Sequence, residues 1–533
     1  MNLPVIPSGT PQVEPPPITK AIKMEVDGRP VECDARDNLI EAARRIGVHI
    51  PYFCYHPRLS VAGQCRMCLV ETSESAGRLV PGCQVRAKEG LKVTTSSPAV
   101  RENQRGIMEF HLINHPVDCA ICDQSGECKL QDYYMEYDHQ ATRIRTSKVQ
   151  KPKREELGPV VVYDAERCIM CTRCVRFMDE IAREPQLAVV NRGDHSLIAT
   201  FPGHPLDSTY SGNTVDICPV GALLNRDFRF TSRVWYLNKS PTVCTGCANG
   251  CNIWLESRGN VAYRELPRRN EEVNHVWMCD AGRATHHEVN EGRLEWPQAA
   301  GEALGAEVAV KRAADILKPL MGKPGVALYL SAQCTNEEAA VALLLGRELG
   351  ISRVAIGGRP PGPGDDYLVR EDKDPNRRGV EMAARAFGME PGDLGDAKAL
   401  VAMRADGLQA PPRLEVFVAI APADVPGASV VLPCSHAYEQ DGTFVNWYGR
   451  LQRLYRSVVA PRGDAVPGWV WARRILGALG FTHEVRDAGQ AFALLAQRAP
   501  ELAGKTFQGI PDEGVVLPSL LPAEWPARAP RPR

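Results

Sequence analysis

Sixteen of the eighteen cysteines in this 533-residue chain lie before residue 280, and fifteen of these, together with one histidine, fall into four spaced sets. The sets are Cys54, Cys65, Cys68 and Cys83; His115, Cys119, Cys122 and Cys128; Cys168, Cys171, Cys174 and Cys218; and Cys244, Cys247, Cys251 and Cys279. Only Cys33, Cys334 and Cys434 are left over. This grouping constrains the fold strongly, because each set must close on one point in space. In a reducing compartment it argues for metal or cluster ligation over a disulfide framework.

A chain of this length exceeds one hydrophobic core, so two to four domains are expected. Hydrophobic residues make up 44% of it, which suits globular domains. With 63 basic and 64 acidic side chains, nothing suggests a nucleic-acid or anionic-membrane surface. The proline-rich stretch Met1 to Lys20 has no basic start, no apolar run and no arginine, so it reads as a tail and not as a secretory or transit signal. No run approaches the roughly 18 apolar residues of a membrane span. The expectation is an intracellular, soluble protein.

Alternation about Asp27-Gly28 predicts a hairpin over Ile22 to Cys33, followed by a helix from Asp37 to Ile46. Cys68 to Thr72 and Leu91 to Thr95 read as strands bracketing Cys83. Pro98 to Asn114 reads as a helix with Val100, Ile107, Phe110 and Leu112 toward the core, delivering His115 at its end. Lys148 to Glu156 is a charged linker. After about Gly301 cysteines become rare and strand runs alternate with helices: Val326 to Ser331, Ile351 to Ile356, Ala399 to Met403 and Val416 to Ile420 are strands, and Thr335 with Glu338 forms a capping box. These predict an open α/β sheet. Val516 to Arg533 is a proline-rich tail.

The first set places a close Cys-x2-Cys pair between two distant cysteines, the order of plant-type 2Fe-2S ferredoxins with a longer first gap. Zinc usually takes two close pairs, and only one is present. The second set equally describes a zinc site of three cysteines and one histidine, with His111 as a competing ligand. His115 is preferred because Pro116 turns the chain there toward Cys119. The third set, three cysteines at three-residue steps and a distant Cys218-Pro219, is that of a 4Fe-4S cubane. The fourth is open to structural zinc, although its place before an α/β region favours a 4Fe-4S cluster. Cys33 reads as a small buried strand residue, and Cys334 and Cys434 as half-buried loop cysteines. The glycines of Gly357 to Gly364 fit no nucleotide-binding motif and read as a surface loop.

The strings Asn114-His-Pro-Val-Asp-Cys-Ala-Ile-Cys-Asp-Gln-Ser-Gly-Glu-Cys128, Arg167-Cys-Ile-Met-Cys-Thr-Arg-Cys-Val-Arg176 and Ser211-Gly-Asn-Thr-Val-Asp-Ile-Cys-Pro-Val-Gly-Ala222 closely resemble the large iron-sulfur subunit of NADH:quinone oxidoreductase, respiratory complex I. Asp441 to Arg453 is similar to that family's molybdopterin-oxidoreductase-like domain. The resemblance implies a multidomain α/β and α+β chain. It has a tail (1–20), a 2Fe-2S ferredoxin-like domain (21–97), a 4Fe-4S domain with one histidine and three cysteine ligands (98–150) and a four-cysteine 4Fe-4S ferredoxin-like domain (151–235). A 4Fe-4S domain of molybdopterin-oxidoreductase type (236–295), a reduced molybdopterin-oxidoreductase-like α/β domain without cofactor (296–515) and a tail (516–533) complete it.

It further implies one 2Fe-2S cluster on Cys54, Cys65, Cys68 and Cys83, and a 4Fe-4S cluster on each of the other three sets, with no molybdopterin and no FMN on this chain. Electrons would enter at the 2Fe-2S site, pass the Cys168 to Cys218 cluster and then the His115 cluster, and leave toward quinone. The fourth cluster would lie off that route. Implied partners are the NADH- and FMN-binding flavoprotein subunit, a thioredoxin-like 2Fe-2S subunit and the quinone-proximal hydrophilic subunits. The implied location is peripheral, on the cytoplasmic side of the bacterial inner membrane. A formate dehydrogenase catalytic subunit shares the cluster array and strings like Ser331-Ala-Gln-Cys-Thr-Asn-Glu-Glu338, but no residue here stands out as its metal ligand. An iron-only hydrogenase would need further cysteines beyond residue 290, where only two occur.

Overall fold

The computed structural model of the protein describes residues 17–405, 407–408, 411, 413–458 and 462–522. Most of the N-terminal tail and the last eleven residues of the C-terminal one lie outside this range. The described residues form two compact units, one ending at Tyr236 and one beginning at Leu237.

In the first unit Ala21–Val26 and Arg29–Asp34 form the expected hairpin, turning through left-handed Asp27 (φ 50°) and Gly28 (φ 75°). Two left-handed residues are what a two-residue turn matched to strand twist requires. The hairpin joins Lys92–Thr94, Leu69–Thr72 and Val80–Pro81 in a five-stranded sheet. The helix Leu39–Arg44, capped by the Asn38 side chain, packs its Leu39, Ile40, Ala42 and Ala43 into the same core. Cys33 is fully buried there, as expected, and burial pushes its thiol up to about 11.

The helix Pro98–Leu112 starts at Ser97, whose hydroxyl accepts from the Val100 amide at 3.3 Å. Its buried face is Val100, Gln104 and Met108, one residue per helical turn; of the four core positions expected from the sequence, only Val100 lies on it. Phe110 is 70% exposed, while Ile107 and Leu112 are half-buried. Two residues beyond Met108 the helix has turned by about 200°, so Phe110 points away from the core. The charged segment expected as a linker ends in a strand, Glu155–Glu156, paired to the buried strand Val161–Tyr163, which in turn pairs with Leu223–Asn225.

The second unit opens with an antiparallel sheet of Asn238–Val243, Asn252–Arg258 and Val261–Pro267. An eight-stranded sheet follows, in which Val430–Pro433, Val416–Ala421, Ala399–Met403, Val326–Ser331, Arg353–Gly357 and Glu390–Gly392 run parallel in that spatial order. Leu328, Leu330, Val401, Met403, Val418 and Ile420 face a helical layer, and Tyr329, Leu400, Ala402, Phe417 and Ala419 form a separate core on the opposite face. Burial on both faces explains why these strands read as continuous apolar runs.

The capping box is present: Thr335 Oγ1 accepts from the Glu338 amide at 3.1 Å and the Glu338 carboxylate accepts from the Thr335 amide at 2.9 Å. Cys334 and Cys434, expected to be half-buried, are both fully buried, because the loops that carry them are covered by the sheet ends and helical layer of this core. The expected C-terminal tail is likewise held at its start: Val515–Val516 pairs with Arg450 and Leu451, and Leu517 and Leu520 are buried.

Glu338 also accepts from Arg404 at 2.8 and 3.0 Å, from Gln440 Nε2 at 3.1 Å and from the Gly468 amide at 3.1 Å, all in the interior. Arg404→Met would leave that carboxylate buried without its cation, so the second unit should lose about 3–5 kcal/mol of stability. Denaturant unfolding of the full chain, followed by tryptophan fluorescence, checks this; a shift under about 1 kcal/mol would mean that the remaining donors suffice.

Candidate cluster-binding sites

The first set is assembled from three loops. Cys54 follows the 39–44 helix, Cys65 and Cys68 occupy a loop with left-handed Gly63 (φ 64°) and Arg66 (φ 59°), and Cys83 follows the 80–81 strand. Cys54 and Cys65 are hydrogen-bonded side chain to side chain, as are Cys68 and Cys83, and the Cys54 charge acts on Cys68. The bond from the Cys65 thiol, with backbone bonds from Cys65 and Gln64, brings Cys54 down to about 5. Cys65 is the one partly exposed member.

All four thiols of the third set line one cavity with Tyr163 and Arg173. The local chain makes this possible by alternating: Met170 (φ 53°) and Thr172 (φ 60°) are left-handed, wrapping the Cys168 to Cys174 segment around the cavity before the helix Arg173–Phe177 begins. The Met170 amide donates to Cys168 Sγ at 3.4 Å. Burial pushes the Cys171 and Cys218 thiols up to about 11 and Cys174 well above the ordinary thiol range.

In the second set Cys119, Cys122 and Cys128 act electrostatically on one another, and burial lifts Cys128 to about 12. Cys119 is exposed. His115 follows the 98–112 helix with its Nδ1 buried and without a hydrogen-bond partner. Burial lowers it to about 4, so the imidazole is neutral at neutral pH with a lone pair to offer. Asp118 and Arg167 act on both His115 and Cys122. The competing His111 instead packs edge-on against Phe53, ring centroids 4.7 Å apart. The second and third sets adjoin: the Lys129 amide, next to Cys128, donates to the Pro219 carbonyl, next to Cys218, at 3.0 Å.

The fourth set lies in the second unit. Cys244, Cys247 and Cys251 fill the connection between the 238–243 and 252–258 strands, and Cys279 caps the short helix Asp280–Arg283. All four are buried. The amides of Gly246 and Gly282 donate to Cys244 and Cys279 sulfurs at 3.4 and 3.3 Å, and Asn249 Nδ2 donates to Cys251 Sγ at 3.1 Å. A Cβ on Gly282 would lie 3.1 Å from Cys244 Sγ and 3.3 Å from Cys279 Sγ, so glycine alone leaves room between them.

Donors of this kind fit iron-sulfur clusters: converging desolvated thiols, amides aimed at sulfur, and one buried imidazole nitrogen without a partner. The sequence reading missed the cations that accompany them. Arg167 pairs with Asp118 at 2.7 Å and Asp164 at 3.1 Å; Lys153 reaches Asp118, Asp164 and Glu166, each at 3.0 Å. Arg173 is fully buried. The signal was available, since Arg167, Arg173 and Arg176 stand beside cysteines within one string.

Residues 19–98 match the family described as a 2Fe-2S iron-sulfur cluster binding domain, and residues 104–143 the NADH-ubiquinone oxidoreductase-G iron-sulfur binding region. Residues 158–224 match the ferredoxin-like domain of NADH-quinone oxidoreductase subunit 3, and residues 238–287 the NDSU1/NuoG-like 4Fe-4S domain of NADH-ubiquinone oxidoreductase. Domains that bind 2Fe-2S and 4Fe-4S clusters are therefore present. The chain is 37% identical over 340 residues to the G subunit of NADH-quinone oxidoreductase from Rickettsia conorii, covering 63% of this chain and 50% of that one. It is 41% identical over 276 residues to the NADH-ubiquinone oxidoreductase 75 kDa subunit of Reclinomonas americana (52% and 40% covered). With the mitochondrial NADH dehydrogenase (ubiquinone) iron-sulfur protein 1 of Solanum tuberosum it shares 36% over 396 residues (73% and 52% covered). The chain thus spans about half the length of the curated relatives it matches. A crystal structure of an NAD+-reducing NiFe-hydrogenase in the H2-reduced state aligns at 28% identity with a TM-score of 0.36, covering 40% of this chain and 91% of that one, a likeness too low to carry argument. Among the described residues no helix is long and apolar enough to cross a membrane.

Gly221 offers a local test of the second set. Its φ lies outside the left-handed region, but an added Cβ would sit 2.2 Å from Cys122 Sγ. Gly221→Ala should therefore expel that thiol from its position and lose the metal bound at the second set, read as a drop in iron per chain with the other signals kept. Unchanged iron would show that Cys122 has room to move.

Proposed function

We propose, from the homology of residues 19–287 to the large iron-sulfur subunit of NADH:quinone oxidoreductase, that this chain is an electron-transfer subunit of that enzyme's peripheral arm. It relays electrons from a flavin-bearing subunit toward quinone, with the NADH and quinone sites on its partners. The observation that carries this reading is the convergence of desolvated thiols in four places, each inside a stretch that matches an iron-sulfur domain.

Cys54, Cys65, Cys68 and Cys83 hold a 2Fe-2S cluster; His115, Cys119, Cys122 and Cys128 hold a 4Fe-4S cluster, as do Cys168, Cys171, Cys174 and Cys218, and Cys244, Cys247, Cys251 and Cys279. When bound, the clusters supply one-electron exchange, with potentials set by net charge, hydrogen bonds to sulfur and exposure. The chain's own residues set those terms. Tyr163 and Arg173 wall the third site from solvent, and amides of Met170, Gly246 and Gly282 bond the sulfurs. His115 contributes a neutral nitrogen where the other sites have a thiolate. The α/β part of the second unit acts as a scaffold without molybdopterin. The partners are the flavoprotein, a thioredoxin-like 2Fe-2S subunit and the quinone-proximal subunits, on the cytoplasmic face of the membrane.

Anaerobically purified chain should be brown, with about fourteen iron atoms and no molybdenum, tungsten or flavin. Colourless protein holding zinc would replace this reading by a zinc scaffold, and stoichiometric pterin would point to a catalytic second unit.

Within the assembled enzyme the third and fourth sets should behave differently. Cys171→Ala should abolish NADH-to-quinone turnover per assembled complex. Cys247→Ala should lower thermal stability, because ligand binding free energy is folding free energy at such a site, while turnover stays near wild type. An assembled Cys247→Ala enzyme without turnover would put the fourth site on the main path.

A further inference from the structure

Where the loop carrying Cys54 meets the segment carrying Cys168 to Cys174, side chains bond backbone across a continuous seam. Gln64 Nε2 donates to the Met170 carbonyl at 2.6 Å and to Thr172 Oγ1 at 3.3 Å. Arg173 donates to the Tyr55 carbonyl at 2.6 Å and to the Ile217 carbonyl at 3.0 Å, touching the neighbours of Cys54 and Cys218. Arg176 goes further. Its Nη2 donates to the Cys54 carbonyl at 2.6 Å and the Cys171 carbonyl at 3.3 Å, so one nitrogen joins a ligand residue of the first set to a ligand residue of the third. Its Nη1 reaches the Ser60 carbonyl. Four residues along, Glu180 accepts from the Ser60 amide at 2.7 Å and from its hydroxyl, clamping the same residue from the other side.

A guanidinium so placed has two physical consequences. Its donors diverge in a rigid fork, which suits holding two carbonyls and a third at fixed separation, whereas a lysine ammonium is a point charge on a flexible stem. It also stays positive, and a positive charge beside a redox centre stabilises the form carrying one more electron, by an amount that grows as solvent is excluded. Arg173 offers the same charge but is fully buried, with its Nε already lacking a partner, so its removal would disturb folding first. Arg176 is only partly buried and can be varied.

We propose that Arg176 is a positioning residue for electron transfer between the first and third sites: it fixes the two ligand loops against each other and raises the reduction potentials of both sites together. The inference rests on the reading of these sets as cluster sites, and it concerns a role beyond ligation. A residue that merely supports one loop would affect one site, whereas a bridging charge must move both in the same direction.

The test uses the full chain, reconstituted anaerobically with iron and sulfide, in wild-type, Arg176→Gln and Arg176→Lys forms. Iron and sulfide content is measured first, then redox titration with EPR detection of the 2Fe-2S signal and of the 4Fe-4S signal that Cys171→Ala removes. Wild-type protein lacking these two signals would refute the cluster reading itself, whatever Arg176 does. With both signals present, Arg176→Gln should make reduction of both sites roughly tenfold less favourable, about 59 mV lower for a one-electron couple. Arg176→Lys, which keeps the charge, should leave both potentials close to wild type but weaken the magnetic interaction between the two centres, since the fork is lost. A shift at one site only, or at neither, overturns the proposal. Loss of both clusters in both variants also overturns it and leaves Arg176 as a folding residue.

Discussion

The structure depends on removing thiols from water and bringing them to common points. A thiolate loses favourable hydration on burial, so burial alone pushes these groups toward the neutral form, and this is seen at Cys128, Cys171, Cys174, Cys218, Cys244 and Cys279. Ligation reverses the preference, because iron takes the thiolate, and binding is therefore coupled to proton release and to folding. Local irregularities follow from this requirement. Left-handed Met170 and Thr172, the short capped turn at Cys279 and the unsubstituted Gly221 and Gly282 allow a chain to pass within a few ångström of sulfur without filling its space.

The charges around the sites are not alike. Cationic side chains cluster where the first three sets lie: Arg176 acts on Cys54 and Cys171, Arg173 on Cys171, and Arg167 on Cys122. The fourth set has a different neighbour. Glu265 is buried beside it and raised to about 8 by desolvation, so this neighbour is largely neutral at neutral pH and offers no cation to the fourth set. Arg283, the nearby cation, pairs with Asp280. The near-zero formal charge of the whole chain conceals this contrast, which is local and set by burial.

Much of this was legible from spacing. Ligand spacing grouped the cysteines, and for the third set the four grouped thiols do line one cavity. The Asp27-Gly28 turn and the Thr335 to Glu338 box were equally readable, because each is a local hydrogen-bond pattern closed within four residues. The buried face of the 98–112 helix was not. Val100, Gln104 and Met108 include a polar residue, and choosing between two faces requires knowing what packs against them. The depth of Cys334 and Cys434 was missed for the same reason: a loop cysteine is exposed or buried according to neighbours far away in sequence.

The arginines illustrate a further limit. Arg173 and Arg176 stand three residues apart in a string read for its cysteines, and nothing in their spacing says which backbone carbonyls they reach 44 to 122 residues away. A carbonyl beside a ligand residue has no side-chain signature. Yet an unpaired buried carbonyl is costly, and loops wrapped around a cluster cannot all pair in sheets or helices. Long cationic side chains solve this at a distance, satisfying carbonyls of two loops while placing positive charge between two groups of thiols. Residues next to cluster cysteines in such strings therefore carry information about how neighbouring sites are joined, beyond the identity of the sites themselves.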